Sequence, residues 1–147
     1  MTKNRRDTLT SGEQPGRLIS CCSGASNVGA LSYLAASRLA QEGSGNFSCI
    51  AGIGGNIPPV TRAAKDAEER IVIDGCPTGC ARRIMDSNLV PIDRYVTVTK
   101  LGIGKTHDFA VDDSNLETVL EAVKRPQEGP LPVNRLVRKL VKGDGGS

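Results

Sequence analysis

The chain has no tryptophan, only two tyrosines and two phenylalanines, and a single histidine. Proteins that hold single-stranded nucleic acid stack bases on aromatic side chains, and this inventory cannot build such platforms, so a nucleic-acid partner is not expected. Long apolar runs are also missing. No stretch approaches the roughly 20 apolar residues of a membrane span, and residues 1–16 lack the apolar centre of a secretory signal. The expectation is a cytoplasmic protein with no membrane contact. Charge of one sign is scarce too: the net charge is +3, and the basic residues gather at the ends, with Arg5 and Arg6 near the start and Arg135, Arg138, Lys139 and Lys142 near the finish. That is a weak pointer to a polyanion. What the chain does have is cysteine. Five thiols, an odd number with no secretory context, argue against a disulfide framework and for metal or thiol chemistry.

At 147 residues the chain is sized for one domain with a useful core. Residues 1–16 are polar and aperiodic and read as a tail. From Arg17 a short strand leads into Cys21-Cys22-Ser23-Gly24-Ala25-Ser26-Asn27, after which Val28, Leu31, Leu34, Ala35 and Leu39 recur at helical spacing. Ser26 or Asn27 is the expected N-cap and Gly43 the stop. A second strand is expected over Phe47 to Ala51, carrying Cys49, then a helix opening at Pro58 and Pro59. Ile71 to Ile73 make a third strand, and Thr78 is the expected cap of the helix behind it. A fourth strand spans about Tyr95 to Lys100, followed by a capping box at Ser114 and Glu117 and a helix stopped by Pro126. Strand and helix alternate four times. The fold class is therefore α/β, one domain over residues 17–126 with a four-stranded, mainly parallel sheet covered by helices on both faces and cysteines on the βα-loops. Residues 127–147 read as a basic C-terminal appendage.

In open α/β sheets ligands bind outside the carboxyl ends of the strands. Cys21 and Cys22 follow the first strand, Cys49 lies on or just beyond the second, and Cys76 and Cys80 follow the third, so all five fall at or near one edge. Gly75, Pro77 and Gly79 hold Cys76 and Cys80 on a tight turn, as metal binding or dithiol redox chemistry requires. Cys80 also falls in the first turn of a helix, with Arg82 and Arg83 beside it. Adjacent residues of a strand point to opposite faces, so only one of Cys21 and Cys22 should reach a common point. Asp74 reads first as the closer of an Asx-type turn, and alternatively as a hydrogen-bond partner of a ligand or a base at an open metal site. His107, in the loop after the fourth strand, is a candidate extra ligand or proton shuttle on the same edge, although a lone loop histidine is usually solvated. Two glycine loops fail as nucleotide sites: Ile57 stands where the dinucleotide fingerprint needs Gly, and Thr99 stands where the phosphate loop ending in Gly104-Lys105-Thr106 needs Gly. The loop after Cys22 enters a helix N-terminus and could take an anion, but it lacks the arginine of a cysteine phosphatase.

These blocks, Cys22-Ser-Gly-Ala-Ser-Asn-Val-Gly, Ser48-Cys49-Ile-Ala-Gly-Ile-Gly-Gly and Ile73-Asp-Gly-Cys-Pro-Thr-Gly-Cys-Ala, resemble in order those of the DGC-domain family, named for an Asp-Gly-Cys motif matched here by Asp74-Gly75-Cys76. The resemblance runs from Arg17 to about Lys124 and implies a small prokaryotic protein with four zinc-binding cysteines and no established reaction. Carried over residue by residue, the zinc ligands fall on Cys22, Cys49, Cys76 and Cys80, leaving Cys21 outside the set. Three uses of the site stay open: a closed four-cysteine zinc centre, an enzyme with an open three-cysteine zinc or a Cys76/Cys80 redox pair, and an iron-sulfur protein. A small thiol-reactive or anionic ligand could accompany the metal.

Overall fold

A computed structural model describes residues 16–127 and 129–131. Four strands, β1 (Arg17–Cys21), β2 (Asn46–Phe47), β3 (Glu69–Asp74) and β4 (Arg94–Thr97), alternate with five helices. These are α1 (Asn27–Gln41), α2 (Ile50–Gly54), α3 (Pro58–Asp66), α4 (Cys80–Ser87) and α5 (Asp113–Lys124), with a turn of 3-10 helix at Val98–Leu101. The sheet order is β2-β1-β3-β4 and every pairing is parallel. The α/β architecture expected from the alternation is therefore the one observed. The expected tail and basic appendage lie almost wholly outside the described residues, and among those described no helix is long and apolar enough to cross a membrane.

The period-2 alternation of β1 and β3 divides the interior into two cores. Ile19, Cys21, Ile71 and Ile73 face α1 and α5, where they meet Leu31, Val119 and Leu120. Leu18, Cys22 and Val72 face the other way, against Ile53 of α2, Ala64 of α3 and Met85 of α4. Ser26 caps α1, its hydroxyl accepting from the Gly29 N–H at 3.1 Å, and Gly43 follows the helix end at φ 82°.

The third strand is longer than the expected Ile71 to Ile73, running Glu69–Asp74, and other boundaries differ from expectation for local reasons. The second strand is only Asn46–Phe47, because Ile50 and Ile53, three residues apart, bury together in the α2–α4 core; a helix satisfies that spacing and a strand does not. Gly52 lies under Val60, whose Cγ1 is 3.1 Å from where a Cβ would stand. The fourth strand ends at Thr97, where the chain turns into the 3-10 segment and the Thr99 N–H donates to the Gly75 carbonyl at 3.1 Å. Helix α5 is capped by Asp112 instead of Ser114, its carboxylate accepting from the Ser114 N–H at 2.7 Å.

Candidate metal centre

Strand β1 lies between β2 and β3, so the three loops carrying the cysteines leave the sheet side by side. The Cys22 N–H continues the ladder to the Ile73 carbonyl at 3.0 Å, and the Ser48 N–H donates to the Ile19 carbonyl at 2.8 Å, carrying register almost to Cys49. Cys21 and Cys22 part company as alternation requires. Cys21 is 3% exposed in the α1–α5 core, and its thiol is pushed up to about 12 by burial and, less, by Cys22 and Asp74. Cys22 faces the α2–α4 core, and its Sγ accepts from the Gly75 N–H at 3.2 Å. This contact links the first thiol to the Asp-Gly-Cys turn itself.

Cys49 immediately precedes α2 and Cys80 is the first residue of α4; both are exposed. The two helices pack together, with Gly54 at the end of α2 against Ile84 of α4. Cys76 is partly buried. Hydrogen bonds from the Thr78 hydroxyl and backbone, and then Lys105, hold its thiol below the usual range, with Lys105 Nζ 3.6 Å from Sγ. Among the described residues, no three His, Cys, Asp or Glu side chains form a group that could hold a metal ion.

Asp74 is the best-satisfied polar group of the edge. It is 1% exposed, and its two carboxylate oxygens accept from the Ala81 and Arg82 N–H groups at 2.9 and 3.0 Å and from the Tyr95 hydroxyl at 2.8 Å. The acid thus caps α4 from inside the sheet. The expected cap, Thr78, instead turns to Cys76, and Gly79 at φ 64° supplies the left-handed step that swings the helix start over Asp74. The Tyr95 phenol is in turn pushed up to about 12, by burial first and then by Asp74. His107 is exposed, with Nδ1 3.2 Å from the Ala25 carbonyl. Its loop is fastened by Asn27, whose side chain accepts from the Thr106 N–H at 2.6 Å and donates to the Gly104 carbonyl at 2.8 Å.

Lys105 and Tyr95 were not singled out by sequence reasoning as parts of this edge. Tyr95 becomes predictable only once β4 is paired to β3, because the register Val72↔Tyr95 and Asp74↔Thr97 sets Tyr95 on the face of Asp74. For Lys105 the sequence carries no signal, since its reach to Cys76 depends on how Asn27 fastens the loop.

A parallel α/β sheet with cysteines on the carboxyl-end loops of three adjacent strands defines a small cysteine-rich α/β protein. The chain belongs to the DGC-domain family, whose domain matches residues 18–123. It is similar to the anaerobic and virulence modulator AnvM of Pseudomonas aeruginosa, with 30% identity over 113 residues, covering 77% of this chain and 86% of that protein. No solved structure matches the chain.

Proposed function

We propose that the protein is a cytoplasmic zinc-binding protein that holds one ion through Cys22, Cys49, Cys76 and Cys80. The observation that carries this reading is the order β2-β1-β3, which puts the loops bearing these four thiols next to one another at a single edge. The donor set suits zinc, which takes thiolates in closed tetrahedral sites. Cys22 already accepts an N–H bond, Cys76 has Thr78 and Lys105 to stabilise its thiolate, and Cys49 and Cys80 are open to solvent. The thiols are not gathered as a donor group among the described residues, so on this reading the exposed loops would have to close toward Cys22 to hold the ion. The ion would supply a cross-link between strand ends, and the remaining residues orient the thiols: Asp74 fixes the start of α4 and so Cys80, and Gly75 fixes Cys22. The similarity to a protein named as a modulator is in keeping with a binding use of the site.

The test is elemental analysis and an absorption spectrum of protein purified without oxygen. About one colourless zinc per chain is the expected result. Protein that takes up no metal overturns the reading, and a brown chromophore replaces zinc by an iron-sulfur cluster. Cys80→Ser that keeps full zinc occupancy would move the assignment to an open three-cysteine site, the form that could activate water.

A second reading has one observation in its favour, the Lys105 ammonium beside Cys76. A thiolate stabilised by a neighbouring cation is a nucleophile, and a metal-free protein acting this way would be alkylated by iodoacetamide at Cys76 much faster than at Cys49 or Cys80.

A further inference from the structure

Beside the thiol edge, and separate from it, a cavity of about 360 Å³ opens between the start of α4 and the edge strand β4. Its walls include Pro77, Arg82, Tyr95, Thr97, Lys100 and Gln127. Tyr95 and Thr97 share a face of β4 by strand alternation, and Thr97 is buried. Arg82 arrives from α4, with its Nε 3.0 Å from where a Cβ on Gly79 would stand. Lys100 comes from the 3-10 turn that follows β4.

The charge balance of this cavity is uneven. Two cations line it, no carboxylate lines it among the described residues, and within that set neither Arg82 nor Lys100 forms an ion pair. The acid behind the wall is Asp74, which lies 1% exposed and already accepts from two backbone N–H groups and the Tyr95 hydroxyl. Its hydrogen-bonding capacity is largely used before either cationic head group is considered. At the other end of the sheet, by contrast, Arg17 and Arg94 share Glu69, and Arg70 has Asp93. A concave site of this size, lined by two cations and polar neighbours, has the dimensions of a small-molecule cleft, typically about 300–1,000 Å³.

We propose that this cavity binds a small phosphate-bearing molecule, its phosphate held between Arg82 and Lys100. A phosphate suits the pair better than a carboxylate does, because the two cations belong to different elements and a tetrahedral dianion has oxygens to offer each, whereas a planar carboxylate is best served by one bidentate arginine. Pro77 forms part of the wall and directly follows Cys76, so the occupant lies beside the thiol-bearing loop. The assignment does not depend on whether zinc is bound.

Amide spectra of the full-length protein as isolated, titrated with inorganic phosphate at constant ionic strength, test it. Saturable shifts are expected at Arg82, Thr97 and Lys100, and the affinity should fall about tenfold or more in Arg82→Gln and in Lys100→Gln, the worth of one charge-assisted hydrogen bond. Arg83→Gln serves as a control, since that side chain turns to the Thr78 carbonyl at 2.8 Å, and it should bind as the unaltered protein does. Shifts in the unaltered protein that stay linear with phosphate overturn the proposal without recourse to any variant. Saturable shifts that both cavity variants leave unchanged overturn it as well, and acetate binding as tightly as phosphate overturns the phosphate assignment.

Discussion

The two ends of the sheet are built on opposite principles. At the amino end Glu69 receives both Arg17 and Arg94, and Arg70, nearly buried, donates to Asp93, the Lys65 carbonyl and the Ala67 carbonyl at 3.0, 3.0 and 2.9 Å. Each of these three arginines has an acceptor. At the carboxyl end Cys49 and Cys80 are exposed, Cys76 sits beside Lys105, and Arg82 and Lys100 have no ion-pair partner among the described residues. The amino end has little left to offer a ligand. Stability is concentrated where hydrogen-bonding capacity is used up, and binding capacity where it is not, which matches the preference of open parallel sheets for ligands at the carboxyl edge.

Asp74 is the group that breaks this division, a fully used side chain at the end otherwise left open. Asp74→Ala should have the largest effect of any single change at either end. It strands two N–H groups at the start of α4 and the half-buried Tyr95 hydroxyl, and the sum is roughly 4 kcal/mol of lost stability by urea unfolding. Zinc affinity should fall with it, since Cys80 begins the helix that is uncapped. If stability drops and zinc affinity does not, the capping of α4 has no part in holding the ion. Gly75→Ala should come next. A Cβ there would stand 2.8 to 2.9 Å from backbone atoms of Val28 and Gly29, so β3 and α1 must separate, at about 1–3 kcal/mol. The same shift pulls the Gly75 N–H from Cys22, and a competitive chelator titration should show weakened zinc binding.

The amino end supplies the contrasting variant. Arg70→Met keeps most of the stem but leaves the Lys65 and Ala67 carbonyls without their donor, with an expected loss of roughly 1–2 kcal/mol. Metal stoichiometry and chelator affinity should stay those of the unaltered protein. A change in zinc binding from this position would mean that the two ends are coupled through the strands, and the division drawn above would fail.

How much of this could be read from the chain depended on whether the decisive contact was local. Alternating strands and helices, the parallel sheet and the shared edge of the cysteines all follow from short-range periodicity, and Ser26 as a cap from its place before Val28. The stretch Phe47 to Ala51 misled because a short apolar run fits a strand or a helix equally, and only the joint burial of Ile50 and Ile53 decides. Asp74 was legible as a residue of the site but not in its role. Its partners lie seven and eight residues on, reached through the left-handed Gly79, and across the sheet at Tyr95, which required a strand order that the spacing left undetermined. Lys105 was read only as part of a failed phosphate loop, since nothing within it records that Asn27 folds that loop toward Cys76.

The smallest effect near neutral pH tests the finest form of the contrast, between the neighbours Cys21 and Cys22. Burial first, then the charges of Cys22 and Asp74, raises the Cys21 thiol from 9.0 to about 12. A raised folded-state value means the contribution is fully present below the unfolded value and is lost as pH climbs through the folded one. Between pH 9 and about 12 the unfolded chain gives up a proton that the folded chain keeps, so stability should decline by roughly 1.4 kcal/mol per pH unit for this group. The Tyr95 phenol, raised from 10.0 to about 12, adds a decline of the same sign that starts higher. Urea midpoints across this range, measured with a chelator present so that metal-linked protons do not enter, should show a shallower alkaline fall in Cys21→Ala from about pH 9 and in Tyr95→Phe from about pH 10. Below pH 9 the Cys21→Ala curve should run parallel to that of the unaltered protein, displaced only by the loss of the buried sulfur. If its alkaline slope equals that of the unaltered protein, Cys21 is not held neutral by the core, and the partition that makes Cys22 alone of the pair available to a metal would have to be abandoned.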